Sequence, residues 1–203
     1  ERGDGDPLII AGGPCATTPE PMADFIDLFI FGEGEEVNLE LFRLYQDSKK
    51  KGETKEEFLI RACAIEGIYV PRFYQVDYKE DGTIKSRKSL IPEAREVIKR
   101  VRVSNVDDMY VNDQQIVPFI QTVHDRVVME LFRGCTQGCR FCQAGMLYRP
   151  IREKSRGHLN EIAENLLSST GYDEISLSSL SSCDYSNLMP LIHDLVERYE
   201  KDY

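Results

Sequence analysis

Three cysteines fall within eight residues, Cys135-Thr136-Gln137-Gly138-Cys139-Arg140-Phe141-Cys142, and this run constrains the chain more than any other feature. Six cysteines scattered at random would give a Cys-x3-Cys-x2-Cys run roughly 0.003 times per chain. Spacing this close lets one loop wrap several thiolates around a single inorganic centre. The cytosol keeps thiols reduced, so in an intracellular chain the run reads as metal or redox chemistry and not as a disulfide framework. Cytoplasmic placement and no membrane contact are expected. No apolar run approaches the length that crosses a bilayer, and the opening Glu1-Arg2-Gly3-Asp4 lacks a signal-peptide apolar region. That opening also lacks an initiator Met and is followed at once by the strand-like Pro7 to Ala11. We expect a segment of a longer polypeptide, cut at Tyr203 as well.

Two metals suit three clustered thiolates. Structural zinc needs a fourth ligand, commonly from a second Cys or His pair; His158 and Cys183 are candidates, and neither belongs to such a pair. A [4Fe-4S] cube held by three cysteines keeps one iron without a protein ligand, the open position that a substrate-binding cluster requires.

The flanks predict how the loop is held. Arg126 to Phe132 reads as a buried strand ended by Gly134. Leu159, Ile162, Ala163, Leu166 and Leu167 recur at helical spacing, with Gly171 as the stop. Glu174 to Ser178 reads as a second strand. Leu188, Leu191, Ile192, Leu195, Val196 and Tyr199 predict a further helix whose apolar stripe packs in a core. Strand, helix, strand, helix implies two right-handed parallel units.

Charge is uneven. The chain carries net charge -10, which excludes a generally adhesive nucleic-acid binder, and residues 1–60 hold 14 acidic against 6 basic side chains. Around the cysteines the balance inverts: Arg133, Arg140, Arg149, Arg152, Lys154 and Arg156 meet only Glu153. These cations either stabilise an anionic cluster or form a solvated basic face.

In the first part of the chain, Gly12-Gly13-Pro14 follows a strand, Leu28 to Phe31 reads as another strand, and Gly32-Glu33-Gly34-Glu35-Glu36 opens a helix, its acids suiting the helix dipole. The glycine pair serves either close approach of a ligand or a plain tight turn. Thr54 to Glu57 reads as a capping box, and Asp81-Gly82 as the turn between Phe73–Tyr78 and a strand at Ile84. From Lys85 to Thr122 we expect an extended connector, with one helical turn near Glu93 to Arg100.

At its cysteine loop the sequence resembles the radical SAM superfamily, whose signature is Cys-x3-Cys-x2-Cys with an aromatic residue, here Phe141, before the third Cys. His124-Asp125-Arg126, Arg133-Gly134-Cys135-Thr136, Cys142-Gln143-Ala144-Gly145 and Tyr148 to Glu153 look like a bacterial group of these proteins that carries an N-terminal cobalamin-binding-like domain. The resemblance implies an α/β fold: the C-terminal part of a Rossmann-like B12-binding-type domain (1–80), a connector (81–124), and the first βα units of a partial radical SAM β/α barrel (125–203). It implies a [4Fe-4S] cluster on Cys135, Cys139 and Cys142, with S-adenosylmethionine chelated by the fourth iron and cleaved reductively to a 5'-deoxyadenosyl radical. Phe141, Ser178 and Ser179 would contact S-adenosylmethionine, although Ser178-Ser179-Leu180-Ser181 departs from the Gly-Gly-Glu run that many members carry there. Gly12 and Gly13 would line the cobalamin-type domain of the full-length protein, yet no Asp-x-His-x-x-Gly ligand motif is present. His124 and Cys183 have structural readings beside functional ones. An electron donor, an unknown substrate and a homodimer through the open sheet edge are the expected partners. A barrel of this kind needs about six units, so two alone are not expected to be catalytically competent.

Overall fold

Leu28, Phe29 and Ile30 are consecutive, apolar and all buried, the pattern of a strand covered on both faces. The computed structural model describes residue 3, residues 5–120 and residues 122–200; Glu1, Arg2, Asp4 and Tyr203 lie outside them. The chain divides into two compact units, one ending at Val103 and one beginning at Ser104, so the stretch read as a connector is shared between them.

In the first unit, β1 (Ile10–Ala11) pairs parallel with β2 (Leu28–Ile30), and β2 pairs antiparallel with β3 (Ile68–Tyr69), Phe29 opposite Tyr69. Helix α1 (Gly34–Lys51) begins with Glu35 and Glu36, closes with three lysines that complement its dipole, and stops on Gly52 in the left-handed region. Helix α2 (Lys55–Ala62) opens on the expected capping box, with Glu57 N donating to Thr54 Oγ1 (3.2 Å) and Thr54 N donating to Glu57 Oε2 (2.8 Å). Strands β4 (Tyr74–Tyr78) and β5 (Ile84–Ser89) form the expected hairpin, its turn fixed by Thr83 N donating to Asp81 Oδ1.

The helical turn expected near Glu93 to Arg100 does not form. Tyr74 Oη donates to Arg95 O, Arg95 Nη2 donates to Ala64 O, and Arg87 donates to Glu96 O while its guanidinium lies over the Tyr74 ring. Long-range partners hold this stretch in an irregular path. It then runs beside the end of β2, where Val101 N donates to Phe31 O and Glu33 N to Val101 O. A Cβ on Gly32 would lie 2.0 Å from Val101 O, so this approach requires glycine. Glu33 is buried and accepts from Val103 N at 2.6 Å. The acidic run that read as dipole decoration therefore also fastens the end of the unit.

In the second unit, β6 (Val127–Glu130) pairs parallel with β9 (Ile175–Ser178), Val127 opposite Ile175, through the crossover helix α4 (Arg156–Thr170). Helix α4 is capped by Ser155, whose side chain accepts from His158 N, and ends on Gly171. Val127 and Met129 pack on Ile162, Ala163, Leu166 and Leu167. Strand β7 (Phe132–Arg133) pairs antiparallel with β8 (Arg152–Glu153), and the short helix α3 (Ala144–Leu147) lies between them in sequence. Helix α5 (Leu188–Tyr199) corrects the expected stripe. It buries Leu191 and packs Leu188, Leu195 and Tyr199, whereas Ile192 and Val196 stay exposed beside Met189. The mixed α/β character is as expected. Among the described residues the first unit's sheet includes the antiparallel β3, and the second unit's parallel sheet has two strands.

Candidate metal centre

The cysteine loop is an excursion from a two-strand base. Phe132 faces Glu153 and Arg133 faces Arg152 across β7–β8, so residues 134–151 leave and return at one place. Gly134 shapes the exit: its φ is +97°, and a Cβ there would meet Pro150 O at 2.7 Å and Ile151 Cα at 2.9 Å. Below the exit, Lys154 is buried, its Nζ donating to Glu130 O (3.1 Å) and lying 3.4 Å from Glu130 Oε2. Arg133 Nε donates to the same carboxylate at 2.9 Å. These contacts place the loop at the carboxyl end of β6, where β/α folds carry their chemistry.

Within the loop, Gly138 adopts φ +66° between Cys135 and Cys139, and Cys142 N donates to Cys139 O at 3.0 Å. All three thiols are free; Cys139 is exposed, and Cys135 and Cys142 are partly exposed. Phe141 is 91% exposed. Among the described residues, no three His, Cys, Asp or Glu side chains stand close enough together to hold a metal ion. The donor set nonetheless fits an iron-sulfur cluster in its chemistry: three soft sulfur donors, free of disulfides, within eight residues of one loop. Cys63 is the contrast. It is buried, and burial, with the Glu93 charge adding, pushes its thiol up to about 11, which is the setting of an inert core cysteine.

The other predicted positions divide by unit. Ser178 and Ser179 stand at the carboxyl end of β9: Ser178 O accepts from Leu131 N, and Ser179 Oγ is shared with Ser182 Oγ and Ser181 N. Cys183 is exposed in the 3-10 turn Ser182–Asp184. His124 lies exposed just before β6, its carbonyl accepting from Arg126 N. His158 occupies the first turn of α4, with Nδ1 3.8 Å from Glu161 Oε2. Gly12 and Gly13 belong to the first unit, where Gly13 takes φ +88° at the start of a 3-10 turn and a Cβ on Gly12 would make only ordinary contact with Ile30.

The basic stretch is partly neutralised. Arg133 and Lys154 share Glu130, and Arg156 Nε lies 3.1 Å from Asp194 Oδ2.

Sequence reasoning missed Gln137 and Asp184. Gln137 Nε2, inside the Cys-x3-Cys segment, donates to Asp184 Oδ2 at 2.6 Å, and this bond, followed by one from Ser181, lowers the Asp184 carboxyl below its ordinary value. The place of Gln137 between two cysteines was the available signal; its partner 47 residues on was not.

Clefts elsewhere do not compete as chemistry. One of ≈ 510 Å³ in the first unit is lined by Glu20, Asp24, Asp27 and Arg72 among others. Glu20 accepts from Tyr69 Oη at 2.6 Å and Asp27 is ion-paired with Lys55 at 3.1 Å, so two of those acids already serve the fold.

Two comparisons with known proteins bear on the chain, one of them over its first unit alone. Residues 1–71 match the family described as radical SAM proteins, N-terminal. The chain is also 25% identical over 199 residues to the uncharacterized protein MJ0966 of Methanocaldococcus jannaschii, across 93% of this chain and 35% of that protein. It thus spans about a third of the length of the curated relative it matches. The family match falls in the first unit, and the cysteine run lies in the second, outside the matched residues.

Proposed function

We propose that this chain carries the cluster-binding portion of a radical SAM iron-sulfur enzyme, with Cys135, Cys139 and Cys142 as the thiolate ligands of a [4Fe-4S] cluster. The observation that carries this reading is the placement of three disulfide-free thiols, one exposed and two partly exposed, on one loop at the carboxyl end of β6, the first strand of a parallel β-α-β unit. When bound, a cluster of this kind supplies one electron for reductive cleavage of S-adenosylmethionine.

The chain's own residues do the holding. The β7–β8 pair and the Glu130, Arg133 and Lys154 contacts fix the loop's base, Gly134 turns the backbone just before the first ligand, and Gly138 turns it between the first and the second. Phe141, exposed between the second and third cysteines, would offer an aromatic face to S-adenosylmethionine. The carbonyl of Ser178 accepts one hydrogen bond from Leu131 N, and its second lone pair would be available to the amino group of that cofactor. Cobalamin draws no support from the Gly12–Gly13 turn, which serves the local chain path. Substrate and electron donor belong to the whole enzyme.

The test is anaerobic reconstitution of the chain with ferrous iron and sulfide. About four irons per chain with a broad visible absorption are expected, and Cys135→Ala, Cys139→Ala and Cys142→Ala should each abolish them, whereas Cys15→Ala, Cys63→Ala and Cys183→Ala should not. Stoichiometric zinc in an anaerobically purified, iron-free sample would sink the proposal in favour of a zinc-stabilised module.

A further inference from the structure

The turn after β9 meets the cysteine loop at both of its ends. At the base, Ser186 N and Oγ donate to Glu153 Oε1 at 2.9 and 3.0 Å, and Tyr185 Oη donates to Lys154 O at 2.8 Å. Tyr185 is buried and stacks on Phe132 of β7, ring centroids 6.4 Å apart. At the other end, Asp184, the neighbour of that anchored tyrosine, accepts from Gln137 between two of the cysteines.

We propose that Gln137 and Asp184 form a latch that holds the cysteine loop against this turn, and that Asp184 is thereby a positioning residue for the metal centre. The inference rests on the proposed cluster for its metal-directed part. An exposed hydrogen bond competes with water and adds little to global stability. Its consequence is local. A loop tied only at its base samples many arrangements of its thiols, and a second tie to a rigid anchor removes most of them before metal arrives. The acceptor is a carboxylate, which makes the bond stronger than a neutral pair.

The pair can be inverted without changing shape, because Glu is isosteric with Gln and Asn with Asp. Gln137→Glu sets two carboxylates against each other and opens the latch; Gln137→Glu combined with Asp184→Asn restores a donor facing a carboxylate. Two readouts are needed. In the metal-free chain, amide hydrogen exchange over residues 135–142 should rise roughly tenfold in Gln137→Glu and return to within about twofold of wild type in the double variant. In the chain reconstituted with ferrous iron and sulfide, loss of iron to a chelator should follow the same pattern, roughly tenfold faster and then rescued. The rescue separates a positioning role from a general weakening of the fold, which a second substitution would not repair. Exchange unchanged by Gln137→Glu, or a double variant no better than the single one, overturns the latch. If wild type takes up no iron and sulfide while exchange responds as expected, the cluster and the metal-directed part fall together, and the latch stands as a constraint on the loop alone.

Discussion

Cys63 in the first unit and the loop cysteines in the second are the same side chain put to opposite uses. Cys63 caps α2 inside a core of Phe58, Leu59, Ala62 and Ile65, where burial holds the thiol protonated. Cys135, Cys139 and Cys142 stand on a loop whose tip the core does not cover. Several buried polar groups of the first unit find partners within it: Asp27 in Lys55 and Ile9 N, Glu33 in Val103 N, Tyr69 in Glu20. Stability therefore resides in the first unit and at the loop's base, and substitutions should cost it there and little at the tip.

The largest loss, matched only by a core truncation such as Phe132→Ala, is expected from Asp27→Ala. Asp27 and Lys55 are both buried and 3.1 Å apart, a close charge contact more than an aligned hydrogen bond, and Ile9 N donates to the same carboxylate oxygen at 2.8 Å. Removing the carboxylate leaves a buried ammonium without its counter-charge, a cost of about 3 to 5 kcal/mol by urea unfolding. A loss under about 1 kcal/mol would show that water reaches Lys55. Gly134→Ala comes next, because both the positive φ and the contact with Pro150 oppose a methyl group. We expect about 3 kcal/mol. A neutral result would mean that the loop's base can shift, and the contrast between base and tip would fail.

The third effect depends on pH. The folded-state pKa of Cys63 is raised, from 9.0 to about 11, so the native chain keeps a proton that the unfolded chain releases. Its contribution is fully present below pH 9 and is lost as pH rises toward 11. Wild type should lose about 2 kcal/mol over that window from this group, and Cys63→Ala should flatten that part of the slope. Tyr69 and Tyr74 are raised as well, chiefly by burial, and their share of the alkaline loss should persist in the variant. Identical slopes in the two proteins would show that the Cys63 thiol ionises as freely as in an unfolded chain.

What the sequence revealed was local. The Thr54–Glu57 capping box, the Asp81-Gly82 turn, the separate periodicities of β6, α4 and β9, and the cysteine spacing are each written in a short stretch of sequence. What escaped depends on which distant segments the topology brings together. Glu33 meets Val103 N across 70 residues, and the turn expected at Glu93 to Arg100 was displaced by partners on β4, β5 and the segment after α2. Helical spacing identified α5 but could not say that Leu191 faces the core while Ile192 and Val196 do not. The burial of Lys154 was equally hidden, because a basic residue in a basic stretch reads as solvated until Glu130 is placed beside it.

The smallest effect is expected at the tip. Phe141 and Phe132 lie nine residues apart, one exposed over nearly its whole side chain and the other 2% exposed against Tyr185. An aromatic side chain left in water contributes little to folding, so Phe141→Ala should change the stability of the metal-free chain by no more than about 0.5 kcal/mol, and Cys139→Ala likewise. Phe132→Ala should cost about 3 to 5 kcal/mol. Urea unfolding of the three variants in parallel measures all of this under one condition. A loss above about 1 kcal/mol for Phe141→Ala would mean that the tip is packed into the fold, and its exposed aromatic would then be a structural residue instead of a surface kept for a bound molecule.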